Sequence, residues 1–377
     1  MKYLFNDKIE NFLKIILKNA LNEDLRVFFV GGIVRDKILE IPTFDIDLLI
    51  LGNAIEFSKS LPDNIKIKSI HEDFCTLKLE YQNIEIDIAS SRTEKYPYSG
   101  CLPVLENIGV SLCEDVLRRD FSINSLYCEL KLVENQIQYH FIDMVDGLND
   151  IKNKTLKVLH DKSYFDDPTR IIRGLGFKYR FGFDFSEHDI CLIENYMQNI
   201  DYSNMSIDRN IKVIKKVLNS KNQTEIFKEL VEKKYYKIIN PNNLDVNFDL
   251  IDKIFETLKL DMVLMSDLYL KILLDEDVQK YNLVNLIEIY KTFSKMTLVD
   301  LAYYFYKTQD CNVIKYFEIK DITLNISGSD LLKAGYQQGL IIGKILDDLL
   351  VEKLNNPNSF KDKKSEMAWV LKSFHKN

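Results

Sequence analysis

The sequence predicts a mixed α/β domain in its N-terminal part, followed by a remainder that is helical. The apolar run Val27–Val30 is rich in β-branched and aromatic residues and ends directly at Gly31–Gly32, which is typical of a buried strand and a tight turn. Apolar and polar residues alternate over 74–81 and again over 83–90, which predicts a β-hairpin. From residue 186 onward the apolar residues recur at helical spacing.

The other elements of the N-terminal domain follow from shorter patterns. Helices are predicted over 7–20, 34–39 and 53–61, and strands over 65–70 and 136–142. The stretch 91–117 contains Pro97, Gly100 and Pro103, so we expect it to be irregular.

Length and composition limit the class of protein. The chain has 377 residues, too many for one compact core, so two or more domains are expected. Hydrophobic residues make up 46%, which is typical of a globular chain and not of a disordered one. The net charge of −7 argues at first against a nucleic-acid partner, but a local basic patch decides such binding and net charge does not.

Charged residues interrupt every apolar run near the N-terminus, so neither a signal peptide nor a membrane span is expected, and the chain is predicted to be cytoplasmic. Six cysteines are scattered without a Cys-x-x-Cys pair. Neither a disulfide framework nor a zinc site is therefore predicted.

Three aspartates are candidate metal ligands. Asp45 and Asp47 lie two apart in a segment of Ile and Leu, so in a strand they would share one face. Two carboxylates so close repel each other unless cations lie between them, and Mg²⁺ binds through one or two carboxylates plus substrate phosphates. An ordinary strand with two aspartates in a turn is the alternative. Asp87 is either a solvent-facing strand residue or a third carboxylate of the same site.

Two motifs together carry a resemblance to a known family. Gly-Gly-x-x-Arg-Asp at 31–36, followed by Asp45-x-Asp47, resembles the nucleotidyltransferase head of the polymerase β superfamily. Arg-Arg-Asp-Phe-Ser-Ile-Asn-Ser at 118–125 is similar to the Arg-Arg-Asp-Phe-Thr-Ile-Asn-Ala motif of class II tRNA nucleotidyltransferases and bacterial poly(A) polymerases. The resemblance covers about residues 25–220, and more weakly 320–350.

This resemblance implies an α/β nucleotidyltransferase head with a polymerase β-like palm and a mixed sheet, followed by an all-α neck, body and tail. The implied domains are the head at 1–145, a neck with a nucleobase-template helix at 146–220, a helical body at 221–320 and a helical tail at 321–377. Asp45 and Asp47 would hold two Mg²⁺ ions, with Asp87 as the third catalytic carboxylate. One ion would lower the pKa of the tRNA 3′-hydroxyl and the other would neutralise the leaving pyrophosphate.

The resemblance also implies a set of nucleotide-binding residues: Gly31, Gly32, Arg35, Arg119, Asp120, Asn124, Asp167, Arg170 and Arg173. The glycines would approach the triphosphate through backbone N–H groups, while Asp120 and Asn124 would select a ribose. Arg35 would pair with Asp36 or with phosphate. Asp167 and Arg170, three apart on one predicted helix, would hydrogen-bond the Watson–Crick edges of CTP and ATP.

The predicted neck helix is expected to have Asp166 or Asp167 as its N-terminal cap. Along this helix the chain departs from the family pattern at Gly174, where alanine is usual, and at Gly176, where the family carries arginine. Glycine in a helix interior costs about 1 kcal/mol relative to alanine, so we expect these two positions to weaken the helix.

The implied partners are tRNA, CTP and ATP, with tRNA contacts at Lys212, Lys215 and Lys216 in a lysine-rich stretch. Neither a membrane nor a protein partner is expected. Addition of CCA, of CC only or of A only all remain open. Poly(A) polymerase is an alternative, although such enzymes usually carry a longer basic C-terminal extension. A catalytically idle RNA-binding module is disfavoured because all three carboxylates are present.

Overall fold

The computed structural model describes residues 7–43, 45–203 and 205–375. The chain divides into two compact units, the first ending at Asn242 and the second beginning at Asn243. Within the described ranges, no helix is both long enough and apolar enough to cross a membrane. The four domains expected from the sequence stay a prediction.

The first unit contains eleven named strands in its described part: β1 Val27–Val30, β2 Ile46–Ile50, β3 Lys66–His71, β4 Thr76–Tyr81, β5 Ile84–Ser90, β6 Arg92–Lys95, β7 Val104–Ile108, β8 Tyr127–Val133, β9 Gln136–Ile142, β10 Thr155–Leu156 and β11 Asp184–Phe185. Its α-helices are α1 Asp7–Asn22, α2 Gly32–Ile38, α3 Ala54–Ser58, α4 Leu112–Asp115, α5 Gly147–Asn153, α6 Ser163–Asp166, α7 Thr169–Phe181, α8 Glu187–Gln198, α9 Ile207–Leu218 and α10 Gln223–Glu232.

Seven strands form one mixed sheet in the order β3-β4-β5-β2-β1-β8-β9. Only the β2–β5 pair is parallel, and the other neighbours in this sheet are antiparallel. All four residues of β1, an interior strand of this sheet, are buried in its core. Helix α1 contributes Phe12, Leu13 and Ile16 to this core. The predicted α/β head with a mixed sheet is confirmed.

The segment 91–117 is more ordered than the sequence suggests. Strands β6 and β7 pair as an antiparallel ribbon, and α4 follows it with a capping box at Ser111 and Glu114. The prediction of irregular structure was wrong because Pro97, Gly100 and Pro103 lie in the loop that joins β6 to β7 and interrupt neither strand.

Helix α7 carries the two unexpected glycines. A Cβ atom at Gly174 would lie 2.4 Å from the ring of Phe185, so this close packing requires glycine. A Cβ atom at Gly176 would make only a 3.4 Å contact with Val217. Asp167 was expected on this helix but precedes it in extended conformation, and its Oδ1 accepts the N–H of Thr169 at 3.0 Å. Of the two aspartates expected to cap the helix, Asp167 is therefore the one that binds its first turn.

The described part of the second unit is helical throughout: α11 Phe248–Leu258, α12 Met262–Leu274, α13 Leu286–Phe293, α14 Leu298–Thr308, α15 Asn312–Ile319, α16 Gly328–Lys333, α17 Leu340–Asn355 and α18 Lys363–Ser373. Leu331, Ile345 and Leu349 belong to one apolar core. Beside it, Glu366 is buried and its Oε1 accepts a hydrogen bond from Nζ of Lys353 at 2.5 Å, so neither charge is left unpaired.

Candidate active site

Two of the three candidate carboxylates lie at adjacent positions of the sheet, and the third lies just before one of its strands. In the parallel β2–β5 pair, Asp47 is directly opposite Asp87. Asp45 is exposed and comes immediately before β2. Asp87 is exposed, with its Oδ2 3.5 Å from Nζ of Lys78 on the neighbouring strand β4. The structure thus places Asp47 and Asp87 side by side on neighbouring strands, whereas Asp45, which was expected to share a strand face with Asp47, lies outside the strand.

The electrostatics at Asp47 favour a cation. Burial, and then the negative charges of Asp87 and Asp45, raise the pKa of Asp47 to about 6. A positive ion at this point would relieve the repulsion and restore the charged form. Within the described ranges, no group of three His, Cys, Asp or Glu side chains is arranged to hold a metal on its own. The donor set still fits Mg²⁺, which takes one or two carboxylates and completes its shell with water and substrate phosphates.

A cavity of about 580 Å³ opens beside Asp47. Of the residues predicted to bind nucleotide, every one lines it: Gly31, Gly32, Arg35, Arg119, Asp120, Asn124, Asp167, Arg170 and Arg173. The wall also includes Arg92, Arg118, Arg209 and Lys216, against only four acidic side chains, Asp47, Glu94, Asp120 and Asp167. This excess of guanidinium groups suits a polyphosphate ligand.

Gly31 makes the turn at the edge of this cavity. Its φ of 69° and ψ of −131° are open to glycine and are rarely adopted by residues with a side chain. The turn connects β1 directly to α2 and brings the backbone of Gly31 and Gly32 to the cavity wall.

Arg35 is buried and fixed on all sides. Its Nε and Nη2 donate to Oδ1 of Asp36 at 2.8 and 2.5 Å, and its Nη1 donates to Asn124 Oδ1 at 2.5 Å. Its guanidinium also lies over the rings of Phe177 and Phe181. The sequence left open whether Arg35 pairs with Asp36 or with phosphate, and in the structure it pairs with Asp36.

Asp115 organises the arginine side of the cavity, although no sequence pattern singled it out. This carboxylate is completely buried and accepts from Arg118 Nε and Arg119 Nη2, each at 2.8 Å. The hydroxyl of Tyr127 donates to the same carboxylate at 2.8 Å. Asp115 therefore holds both arginines of the 118–125 motif in fixed positions at the cavity wall.

Asp120 and Asn124 form a small polar group next to Arg35. Asp120 Oδ1 accepts from the backbone N–H of Phe121 at 2.8 Å and from Asn124 Nδ2 at 3.1 Å. The second oxygen of Asp120 lies 3.7 Å from Nη1 of Arg173. These bonds orient two hydrogen-bonding side chains at the cavity wall, as a ribose contact would require.

Asp167 is buried at another part of the wall. Its Oδ2 accepts Arg209 Nη2 at 2.6 Å and lies 3.4 Å from Arg173 Nη2, while its Oδ1 accepts the Thr169 hydroxyl at 2.5 Å. Burial favours the neutral acid, but the charges of Arg173 and Arg209 outweigh it and hold the pKa of Asp167 below its usual range. Asp167 is therefore a carboxylate acceptor at neutral pH.

Arg170 has hydrogen-bonding capacity that the protein does not use. The side chain is buried, and its Nη2 donates to the carbonyl oxygen of Arg118 at 3.0 Å. Its Nε and Nη1 are buried without any hydrogen-bond partner. Buried donors are normally satisfied, so two unpaired guanidinium nitrogens on a cavity wall indicate a missing ligand with acceptor atoms.

Several cavity residues lay outside the sequence-predicted set. Arg92, Glu94 and Tyr96 come from strand β6 and its loop, the segment expected to be irregular. Arg209 stands in the Ser-Ile-Asp-Arg motif at 206–209, and this pattern was the one available signal for it. Of the lysines predicted to contact tRNA, only Lys216 lines the cavity, whereas Lys212 and Lys215 are exposed elsewhere on α9.

Comparison with known proteins finds similar sequences for the first part of the chain. Residues 27–157 match the family described as the poly(A) polymerase head domain. An A-adding tRNA nucleotidyltransferase of Halalkalibacterium halodurans is 35% identical over 188 residues, which are 49% of this chain and 42% of that relative. Another A-adding tRNA nucleotidyltransferase, from Aquifex aeolicus, is 38% identical over 164 residues, 43% of this chain and 19% of the relative. The match thus spans less than half the length of these relatives.

A solved complex of a CCA-adding enzyme with ATP superposes with a TM-score of 0.74, covering 99% of this chain and 95% of that one at 24% identity. This likeness extends the shared fold beyond the head into the helical part. Nucleotidyltransferases of this family generally use divalent metal ions, which agrees with the carboxylates at Asp47. Residues 27–157 therefore resemble a poly(A) polymerase head domain, and the fold of the whole chain is that of the solved CCA-adding enzyme.

Proposed function

We propose that the protein transfers AMP or CMP from ATP or CTP to the 3′ end of tRNA. The observation that carries this proposal is the single cavity that has Asp47 on one part of its wall and Asp167 with Arg170 on another. Such a cavity brings the phosphates of a nucleotide to the carboxylates and its base to an acceptor and two unsatisfied donors. A cytoplasmic location is part of the same proposal.

The protein groups would divide the work by position. The backbone of Gly31 and Gly32, with Arg118 and Arg119 held by Asp115, would bind the triphosphate. Asp120 and Asn124 would contact the ribose hydroxyls. Because Arg35 is fixed to Asp36 and Asn124, its role is to position this polar group.

Two Mg²⁺ ions would be held by Asp45 and Asp47, with Asp87 beside them. When bound, they supply charge neutralisation at the entering hydroxyl and at the leaving pyrophosphate. The rest of the rate enhancement would come from positioning, since nucleotidyl transfer asks little covalent chemistry of the protein.

Base selection would fall to Asp167 and Arg170. A carboxylate acceptor fits the exocyclic amine of A or C, and the free Nε and Nη1 of Arg170 fit the ring nitrogen of A or the ring nitrogen and carbonyl of C. U and G have a ring N–H donor where C and A have a ring nitrogen acceptor, and a carbonyl acceptor where C and A have an amine donor. The two A-adding relatives make addition of the terminal A the first specificity to test.

Poly(A) polymerase is the second candidate, because the family model that matches the head is described by that name. The two differ in primer: one extends a tRNA by a fixed number of nucleotides, the other extends an RNA end repeatedly.

The deciding experiment incubates the pure protein with each labelled NTP and one of three primers: tRNA ending at the discriminator base, tRNA ending in CC, and an unstructured oligoadenylate. One AMP added to tRNA-CC, with no ladder on oligoadenylate, supports A addition. Addition of CCA to the shortest tRNA supports the full activity, and a long ladder on oligoadenylate would instead favour poly(A) synthesis. Absence of incorporation on all three primers would contradict the proposed function.

A further inference from the structure

A second cavity, of about 760 Å³, lies between α7 and α9 next to the first. The two share four wall residues: Arg173, Phe177, Arg209 and Lys216. A ligand in the second cavity would therefore lie directly beside a nucleotide in the first.

The charged groups of the second cavity are all cationic. Five basic side chains line it, Arg173, Arg180, Arg209, Lys216 and Lys221, and none of its described wall residues is an Asp or Glu. Lys216 and Lys221 form no ion pair within the part of the chain that the structure describes. Uncompensated lysines beside arginine forks are the side chains that bind phosphate groups of nucleic acids.

Apart from Thr169, Ser220 and Asn222, the remaining wall is apolar or lacks a side chain. Val213 and Val217 of α9 face the cavity opposite Gly176 of α7. A Cβ atom at Gly176 would touch both methyl groups of Val217 at 3.4 Å, so any longer side chain would extend into the space. The free volume of the second cavity thus depends on glycine at position 176, where the family usually has arginine. An apolar wall with several cations fits a nucleotide, which brings a flat base and a phosphate.

We propose that the second cavity binds a nucleotide unit of the RNA primer, next to the incoming nucleotide. This inference rests on the proposed function and adds a subsite to it. Buried Arg173 Nε and Ser220 Oγ on its wall have no hydrogen-bond partner, so the protein leaves polar capacity for a ligand there. The chemistry would also suit a free nucleotide, but the four shared wall residues favour an RNA end that must meet the nucleotide of the first cavity.

The test fills the cavity from the α7 side with Gly176→Leu. The matched control is Gly343→Leu, the same change at an exposed helical glycine of α17 in the second unit. Labelled tRNA lacking its terminal A is titrated with each protein, and ATP binding without RNA is followed by calorimetry. We expect Gly176→Leu to weaken primer binding at least ~10-fold, as loss of one stacked and phosphate-bound nucleotide would. ATP affinity and the behaviour of the control should stay within about twofold of the wild type.

Each other outcome has a definite meaning. Wild-type primer affinity in a folded Gly176→Leu protein overturns the proposal. Two ATP molecules bound per wild-type chain, reduced to one by Gly176→Leu with primer binding intact, assigns the cavity to free nucleotide and also overturns it. Should Gly176→Leu lower the melting temperature too far to be studied, Val217→Phe fills the cavity from α9 and is read in the same way.

These binding measurements do not require turnover. Suppose that the wild type binds the primer, that Gly176→Leu does not, and that the wild type adds no nucleotide. The proposed function then fails while the subsite stands. If the wild type adds nucleotides and Gly176→Leu leaves primer binding and its KM unchanged, the subsite fails while the function stands.

Discussion

Nη2 of Arg209 lies 2.6 Å from Oδ2 of Asp167, although 42 residues separate the two along the chain. This bond connects α9 to the residue that precedes α7 and fixes one carboxylate oxygen of the proposed base-reading group. The other oxygen is held by Thr169. Asp167 is therefore oriented from both sides before any nucleotide arrives, which is how a site reads hydrogen-bonding patterns without reorganising.

The first prediction concerns this orientation. Arg209→Met removes one anchor of Asp167 and should reduce the preference for the correct NTP about tenfold, because a rotated carboxylate no longer rejects U or G. Arg209→Lys keeps the charge and should retain most of the preference. The measurement is kcat/KM for all four NTPs on one primer, with Arg26→Met as a surface control. A ranking of NTPs unchanged in Arg209→Met would show that Asp167 does not need this anchor.

The second prediction concerns the carboxylates. Asp45→Ala and Asp47→Ala should each lower kcat by more than ~100-fold, since even groups that only support a metal ligand cost about 10- to 100-fold. Binding of labelled tRNA should persist in both variants, and Asp63→Ala, an exposed aspartate, should behave as wild type. Wild-type turnover in Mg²⁺ by either variant would remove that residue from the proposed metal site.

The sequence was sufficient where the signal is local. The Gly31 turn, the β4–β5 hairpin and the pair Asp45 and Asp47 each depend on residues within a few positions of one another. The position of Asp87 could not be predicted from local sequence, because only the register of the parallel β2–β5 pair places it opposite Asp47. Alternation alone cannot fix register between strands that are distant in sequence.

Residues whose role depends on distant contacts were missed. Asp115 has the appearance of an ordinary acidic residue in a short helix, and its importance lies in its bonds to Arg118, Arg119 and Tyr127. Gly174 was read as a weakness of α7, yet the ring of Phe185 leaves no room for a methyl group. Propensity values contain no information on such tertiary contacts.

The third prediction is a pH dependence of stability from Asp115. Although burial opposes ionisation, Arg119, Arg118 and the Tyr127 hydroxyl lower the pKa of Asp115 to about 2. Since the folded pKa is below the unfolded value of about 3.9, this carboxylate contributes about 2–3 kcal/mol above pH 4. That contribution is lost as pH falls from about 4 to 2.

Calorimetric unfolding between pH 6 and pH 3 should therefore show Asp115→Asn less stable than the wild type at pH 6, with the difference shrinking toward pH 3. A difference that stays constant over this range would mean that the Asp115 charge is not what stabilises the arginines.

The fourth prediction concerns the lysines of α9. Reversing Lys212, Lys215 and Lys216 to Glu should weaken tRNA binding at low salt and reduce the slope of log K against log salt, by about one for each phosphate that the protein no longer neutralises. The matched control reverses three exposed lysines of α1 and β3, Lys8, Lys18 and Lys66. Equal affinity and slope in the two triple variants would show that this face of α9 is only solvated.

The last prediction concerns the choice of base. Asp167→Ala removes the acceptor for the amine of A or C, and Arg170→Ala removes two donors that have no other partner. An unpaired buried donor or acceptor costs about 1–3 kcal/mol, so each contact supplies roughly 10- to 100-fold discrimination. Both variants should therefore incorporate UTP or GTP, with kcat/KM for the four NTPs converging. The adjacent Asp166→Ala serves as control, because Asp166 is not on the cavity wall. If Asp167→Ala and Arg170→Ala lowered the melting temperature but kept the wild-type ranking of NTPs, Asp167 would only bind the first turn of α7, and base selection would have to lie elsewhere on the wall.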